Sequence, residues 1–332
     1  MSSNAKIRVK ISPAPSSEDF YKYMGELAKK TNYEFILDES QLDCDYWVIV
    51  HDFKYSGSAR CPKENIIFIT GEPPSVKKYS KRYLQQFGIV ITSQKSLSHP
   101  NVIDTHQLLS WTFNKTRHNL VSLEPFEKPR NMSIVSSNKR FSREHEQRYQ
   151  FALSLKNRLG NDIDFYGRGI RSFNDKWDVL APYKFSIAIE NSCNHNYISE
   201  KLTECFLSYT FPLYYGCPNV DDYYPKGSYE WIDITDFDGA LELIYKINSN
   251  TNYYQNHLSN IQEARQLYLD KYDLHPLLLD IISSDSNHKS CFNQITTDVS
   301  IHSSNVTMSD LVFKIWCIYG LFKNKRDSFL KS

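Results

Sequence analysis

Residues 183–219 read YKFSIAIENSCNHNYISEKLTECFLSYTFPLYYGCPN, and the order of chemistry along them decides the fold. Phe185 to Ile189 is a short apolar run that reads as a buried strand, and the polar residues from Asn191 to Asn196 make a loop. Ser199 can cap a helix whose apolar positions Leu202, Cys205, Phe206 and Tyr209 recur at helical spacing. Phe211 to Tyr215 then reads as the next strand, so the segment is a parallel βαβ unit. In open parallel sheets, ligands sit beyond the carboxyl ends of strands, facing helix N-termini whose free N–H groups and dipole favour anions. Here Glu190 and Asn191 end the strand, and Glu200 and Lys201 open the helix. A lysine in the first turn is the wrong sign for the helix dipole. Lys201 is therefore either a solvated surface lysine or the partner of a bound anion such as a nucleotide diphosphate.

Outward from this unit the same alternation continues. Met132 to Ser136, Asp164 to Tyr166 and Trp231 to Ile234 read as further strands, with helices at about Arg143 to Leu159 and Phe237 to Asn248. On the N-terminal side, Ile7 to Ile11, Glu34 to Leu37, Tyr46 to Val50, Ile66 to Thr70 and Ile89 to Thr92 form a second series of strands. A helix capped by Ser16 or Ser17, with Phe20, Met24 and Leu27 on one face, falls among them. The polar, proline-containing stretch Ser122 to Asn131 separates the two series. A chain of 332 residues is long enough for two such domains sharing a cleft.

Composition narrows the partners. The 39 basic and 38 acidic residues leave a formal charge of +1, which gives no electrostatic case for nucleic acid. The 23 tyrosines suit carbohydrate, which stacks on aromatic faces, although most tyrosines in any protein are ordinary filler. Seven cysteines, an odd number without a CxxC pair, argue against a disulfide framework and for a reduced cytoplasmic compartment. MSSNAKIRVK leads directly into a charged strand-like segment with no secretory h-region, and no apolar run reaches the ~20 residues of a membrane span. The Asn-x-Ser/Thr triplets at Asn114, Asn131 and Asn305 then read as chance matches. Leu311 to Phe322 is almost wholly apolar and is followed by Lys323, Lys325, Arg326 and Lys331. It reads as a helix that either packs back onto the first domain or lies peripherally on a membrane surface.

The 183–219 segment resembles the donor-binding signature of the family 10 glycosyltransferases, the α-1,3/1,4-fucosyltransferases of bacterial type, whose pattern runs approximately YKFxxAFENSxxxxYxTEKxxxAxxAGTxPxYWGxPN. Tyr183, Lys184, Phe185, Ala188, Glu190, Asn191, Ser192, Tyr197, Glu200, Lys201, Pro212, Tyr214, Gly216, Pro218 and Asn219 match in register. Ile189, Ser199 and Tyr209 depart from it. Ser199 keeps a capping hydroxyl, whereas Tyr209 puts bulk where the family has a small glycine and is expected to alter the pocket. The resemblance implies an α/β protein of GT-B architecture: an acceptor domain over 1–125, a nucleotide-sugar donor domain over 131–272, and a helical tail over 273–332. It further implies transfer of fucose from GDP-fucose, with inversion, to a GlcNAc-containing oligosaccharide or glycoconjugate such as a glycoprotein or lipopolysaccharide glycan. No cofactor is expected to be tightly bound, and a divalent metal enters only as a stimulant. A GT-B transferase of another nucleotide sugar, a non-catalytic nucleotide-sugar or glycan-binding protein, and a chiefly membrane-associated partner protein are the alternatives.

Inverting transfer needs a base for the acceptor hydroxyl, groups that bear the charge of the departing diphosphate, and contacts that fix the sugar. Glu72, in IIFITGEPPS, stands just past a strand in a loop stiffened by two prolines, and the resemblance makes it the base. A solvated loop glutamate is the alternative. For the leaving group, Ser137 and Asn138 end a strand in SSNKRFSREHEQRYQFALSLKNRLG, and Arg148 shares a helix face with Phe151. The resemblance assigns the diphosphate to that arginine, with Arg143 or Arg140 as substitutes in another register. A guanidinium suits the task because its planar donors take two phosphate oxygens at once. The resemblance also implies that Glu200 accepts from a ribose diol and that Tyr197 and Asn191 touch phosphate or sugar. Glu190 is equally readable as a sugar-hydroxyl acceptor or as a cap for the next helix. Asp43 with Asp45, and Asp236 with Asp238, have the DxD spacing of a metal site. The first pair precedes a strand and the second starts a helix, so both read as structural.

Overall fold

The computed structural model describes residues 6–12, 31–51, 56–106, 111–140, 142–284 and 297–302. Its strands are β1 Ile7–Ser12, β2 Tyr33–Ile36, β3 Tyr46–Val50, β4 Ser56–Cys61, β5 Ile66–Ile69, β6 Ile89–Thr92, β7 Val102–Asp104, β8 Arg130–Val135, β9 Asp164–Tyr166, β10 Tyr183–Ile189, β11 Phe211–Tyr215, β12 Glu230–Trp231 and β13 Thr297–His302. Its α-helices are α1 Lys81–Leu84, α2 Arg117–Val121, α3 Arg143–Leu159, α4 Trp177–Leu180, α5 Glu200–Leu207, α6 Phe237–Ser249, α7 Tyr253–Leu267 and α8 Leu274–Ser284. The helix expected after Ser16 or Ser17 and the apolar segment 311–322 lie outside the described residues.

Two parallel sheets organise the chain. The first runs β2-β1-β3-β5-β6-β7 and the second β12-β11-β10-β8-β9. Each winds one way from its first strand to its second, then crosses back, so the winding reverses between β1 and β3 and between β8 and β10. The crevice at such a reversal, outside the carboxyl ends of the strands, is where open α/β sheets bind ligands. In the second sheet the residues leaving those two ends are Ser136 to Asn138 and Glu190 with Asn191.

Strand composition follows from this layering. All of Ile66 to Ile69 is buried, as are six of the seven residues of β10, because helices cover both faces of a parallel sheet. Phe185, Ile187, Leu202, Phe206 and Leu213 share the core of the second domain. The first sheet has a cluster on each face, one built on Val9, Val48 and Ile67 and the other on Trp47, Phe68 and Val90.

The C-terminal part departs from the expected helical tail. Helix α8 does form, and its Leu274, Leu278 and Ile282 enter the core of the first sheet rather than that of the second. Beyond it, β13 is a strand, paired antiparallel with β4 from Thr297 opposite Cys61 to His302 opposite Ser56. A partner strand, absent from a local reading, is what holds 297–302 extended. β12 is also shorter than expected, because only Leu213 and Tyr214 of β11 pair with it. Between α7 and α8 a wide helical turn, Tyr268–Tyr272, ends at the fully buried Asp273. That carboxylate accepts from Arg117 Nη1 at 3.1 Å and from the Leu274 amide at 2.9 Å, fixing the point where the chain returns to the first domain. No helix among the described residues is long and apolar enough to cross a membrane.

Candidate active site

At the reversal point of the second sheet, the loop after β8 lies against the loop after β9 with no room between them. A Cβ at Gly167, whose φ is +150°, would fall 1.8 Å from the Ser136 carbonyl oxygen, and one at Gly169 would fall 2.1 Å from Asn138 Nδ2. The Asn138 amide donates to the Arg168 carbonyl at 3.2 Å, so its backbone fixes this contact. Ser142 caps α3, and six residues further along the helix Arg148 is 5% exposed. Its Nη1 donates to Asn191 Oδ1 and its Nη2 reaches Ser137 Oγ at 3.5 Å, while Nε has no hydrogen-bond partner. Ser137, Arg148 and Asn191 are thus brought together from β8, α3 and β10. Burial lowers the Arg148 pKa, with Glu190, Tyr197 and Glu200 opposing. A guanidinium nevertheless stays charged in proteins. Arg148 is therefore a buried cation whose only direct partners among the described residues are a neutral amide and a hydroxyl.

Glu190 is turned towards the start of α5, where Ser199 is the cap. Its fully buried carboxylate accepts from the Ser199 amide at 2.7 Å, from Ser199 Oγ at 2.6 Å and from Lys201 Nζ at 3.3 Å. It thereby ties the end of β10 to the start of α5, and Gly216 makes the space. A Cβ there would lie 2.3 Å from Glu190 Cγ and 2.6 Å from the Tyr214 hydroxyl. Gly216→Ala is expected to lower stability by about 1–3 kcal/mol through this overpacking. Thermal or urea unfolding checks it, and an unchanged midpoint would remove Gly216 from the account.

Lys201 also donates to Ser199 Oγ at 2.9 Å and lies 3.5 Å from Glu200 Oε1. Burial works against its charge, but Glu200 and Glu190 outweigh it and raise the pKa. For Glu200, burial pushes upward while Lys201 and Lys176 pull harder, bringing it down to about 2. It is an ionised acceptor with 23% of its side chain exposed. Tyr197 is 2% exposed, and burial first, then Glu190, Glu72 and Glu200, hold its hydroxyl protonated.

Across from this group, Glu72 follows β5. Gln94 Nε2 donates to the Glu72 carbonyl at 2.7 Å and to the Lys77 carbonyl at 3.1 Å, bracketing the proline loop. A Cβ at Gly71 would sit 2.6 Å from the His51 ring, which therefore lies flat against the peptide preceding Glu72, and His51 itself is held at φ +69°. The Glu72 carboxylate makes no hydrogen bond or ion pair among the described residues. Burial raises its pKa; Lys201 opposes this and Glu200 adds to it, so the carboxylate feels the charges at the start of α5.

Other candidates are placed elsewhere. Arg140 pairs with Glu146 at 3.4 Å, and Arg143 is exposed. Asp45 accepts from the Arg8 amide at 2.7 Å, Asp43 pairs with Arg60 at 3.1 Å, and Asp236 caps α6 through the Gly239 amide at 3.0 Å. The described residues include no cluster of three or more His, Cys, Asp or Glu able to hold a metal. Tyr209 does not alter the pocket as expected. It stands past the C-terminal end of α5 at φ +55°, donates to the Leu123 carbonyl at 2.8 Å and carries Arg265 over its ring. The family's glycine there suits a left-handed helix end; here packing against the linker holds the larger residue.

Pattern alone did not single out Lys176 or His145. Lys176 contacts Glu204 and lies 3.9 Å from Glu200. It sits in a loop without periodicity, so no local signal marks it. His145 bonds Ser142 Oγ at 2.8 Å, and burial with Arg148 and Lys201 brings its pKa down to about 4. Its spacing of three from Arg148 on one helix was the signal available.

Residues 126–275, which contain the Arg148, Glu190 and Lys201 constellation, match the model of glycosyltransferase family 10 (fucosyltransferase), C-terminal part. Over this stretch the chain is similar to the family 10 glycosyltransferases. An α-(1,3)-fucosyltransferase of Helicobacter pylori, FucT, is 30% identical over 102 residues, 30% of this chain and 19% of that protein. α-(1,3)-Fucosyltransferase B of Drosophila melanogaster is 29% identical over 131 residues, 38% of this chain and 29% of that protein. The chain thus aligns with less than a third of the length of either relative. A crystal structure of an α1,3-fucosyltransferase with GDP superposes with a TM-score of 0.51 at 16% identity, covering 83% of this chain and 95% of that one. The likeness is one of fold, and the architecture around the matched stretch is GT-B.

Proposed function

We propose that the chain is an inverting fucosyltransferase that moves fucose from GDP-fucose to a hydroxyl of a GlcNAc-containing glycan. The observation that carries this reading is Arg148, a buried cation with an unpaired Nε and no ion-pair partner among the described residues, at the reversal point of the sheet in the stretch similar to family 10. An unpaired buried charge is costly, and a diphosphate at this point relieves it. In the proposed reaction the acceptor oxygen attacks the anomeric carbon from the face opposite the diphosphate. Its proton passes to Glu72, and the bond from the anomeric carbon to the phosphate oxygen breaks with its electron pair leaving on GDP. Arg148 and Lys201 bear that growing charge, with Ser137, Asn138 and Asn191 lining the same loop ends. Glu200 accepts from the ribose, Tyr197 packs beside the phosphates, and Glu190 keeps the start of α5 in place.

The test is release of GDP from GDP-fucose with a panel of GlcNAc-terminated acceptors, alongside direct titration of GDP-fucose. Acceptor-dependent release is the expected result. Neither binding nor release would overturn the donor assignment, and binding without release on every acceptor would overturn the transferase reading while leaving the donor site.

A further inference from the structure

We propose that Asp104, at the end of the first sheet, is a positioning residue for nucleotide binding in the second domain: its carboxylate holds Asn196, and through it the loop that leads into Tyr197 and α5. The proposal rests on the donor reading above and extends it to a residue outside the region that matches the family model.

Asn196 is 7% exposed and adopts φ +61°, a left-handed conformation that asparagine tolerates better than most residues. Every polar group of its side chain is engaged. Its Oδ1 accepts from Asn219 Nδ2 at 2.7 Å and from the Tyr223 hydroxyl at 2.7 Å, and its backbone N–H donates to Asn219 Oδ1 at 2.9 Å. Those partners belong to the second domain. The remaining group, Nδ2, donates at 2.6 Å to Asp104 Oδ1, the last residue of β7. A carboxylate acceptor makes this the charge-assisted member of the set.

A second contact runs between the same two regions. The His106 ring meets Tyr223 edge-on with centroids 5.1 Å apart, and Tyr272 at 5.0 Å. Tyr223 is the residue whose hydroxyl bonds Asn196, so the end of the first sheet touches the Asn196–Tyr223 pair twice. Asn196 precedes Tyr197 directly and the Ser199 cap by three residues. The loop that presents Tyr197, Glu200 and Lys201 to the nucleotide is therefore braced from the other domain. Bracing of this kind couples nucleotide affinity to the contact between domains, since whatever loosens one loosens the other.

Calorimetric titration of the full chain with GDP tests it, comparing the wild type with Asp104→Ala and Asp104→Asn. Asp104→Ala is expected to weaken GDP binding about two- to tenfold, the range for one lost hydrogen bond. Donor KM should rise by the same factor and acceptor KM should not change. Asp104→Asn keeps an accepting oxygen and is expected to recover most of the loss, which a general destabilisation would not do. Melting temperatures of the nucleotide-free proteins accompany the titrations, and Asp104, being exposed, tolerates either change. Equal GDP affinity in the wild type and Asp104→Ala would overturn the proposal alone. A wild type that does not bind GDP would overturn the donor reading and this proposal with it.

Discussion

Glu72→Gln is expected to lower turnover by about 10²–10⁴-fold, the usual contribution of a positioned general base, while GDP affinity stays at the wild-type value. The two effects separate because Glu72 stands on the first domain and the proposed phosphate contacts stand on the second. The substitution is also mild sterically, since the carboxylate has no hydrogen bond to lose among the described residues. Its pH signature follows from burial, which raises the folded pKa above the ordinary carboxylate value. Only the ionised form accepts a proton, so kcat/KM should fall as pH drops through that raised value. The acidic limb should lie above the usual carboxylate range and disappear in the variant. Stability moves the other way. An acid whose folded pKa is raised is most stabilising below its unfolded pKa, and that contribution is lost as pH rises through the folded one. At neutral pH the wild type therefore holds an unfavourable charge on a half-buried carboxylate, and Glu72→Gln is expected to melt at the same temperature or higher. Retained turnover with a retained acidic limb would remove Glu72 from the role of base.

The second large effect is expected at Arg148. Arg148→Lys keeps the charge but removes the planar fork that spans Ser137, Asn191 and the unpaired Nε direction. Loss of one preorganised donor to developing charge typically costs about 10²–10³-fold in kcat. The lysine variant should show a loss of that size together with weaker GDP binding. Arg148→Ala should lose more activity than the lysine variant without a matching loss of stability. Removing a buried cation that has no ion-pair partner takes away a desolvation penalty as well as two hydrogen bonds. Steady-state kinetics, GDP titration and urea unfolding on the same preparations separate the two. Wild-type GDP affinity in Arg148→Lys would move the diphosphate away from the reversal point of the second sheet.

Much of this was legible in short stretches of sequence, for a physical reason. β10, α5 and β11 could be delimited because a buried strand, a serine cap and a helical period follow one another locally. Arg148 could be preferred over Arg143 because it shares a helix face with Phe151, and burial of that face carries it inward. Glu190 could not be settled locally. Its partner Ser199 was in view, but its space is made by Gly216, just past the end of the neighbouring strand. β4, Ser-Gly-Ser-Ala-Arg-Cys, has no strong apolar alternation, and its partner strand lies far along the chain; Arg60 and Asp298, which bond across it, are 238 residues apart. Tyr209 was misread because position in the signature suggested the pocket, whereas a residue just past the C-terminal end of α5 lies at the opposite end of the helix from Glu200 and Lys201. The bond from Asp104 to Asn196 had no local trace, since it exists only once two separately wound sheets meet.

The return of the chain to its starting domain has a consequence for how the protein is made. Val9, Val48 and Ile67 are synthesised early, yet the core they build also needs Leu274, Leu278 and Ile282, and the edge at β4 needs β13. The middle of the chain, from β8 to α7, holds its own core and leaves the ribosome before those pieces do. The middle of the chain can therefore complete its core before the first sheet does, against the usual order in which the N-terminal domain folds first during synthesis. The first sheet is left with part of one face uncovered until residues 274–302 have been made.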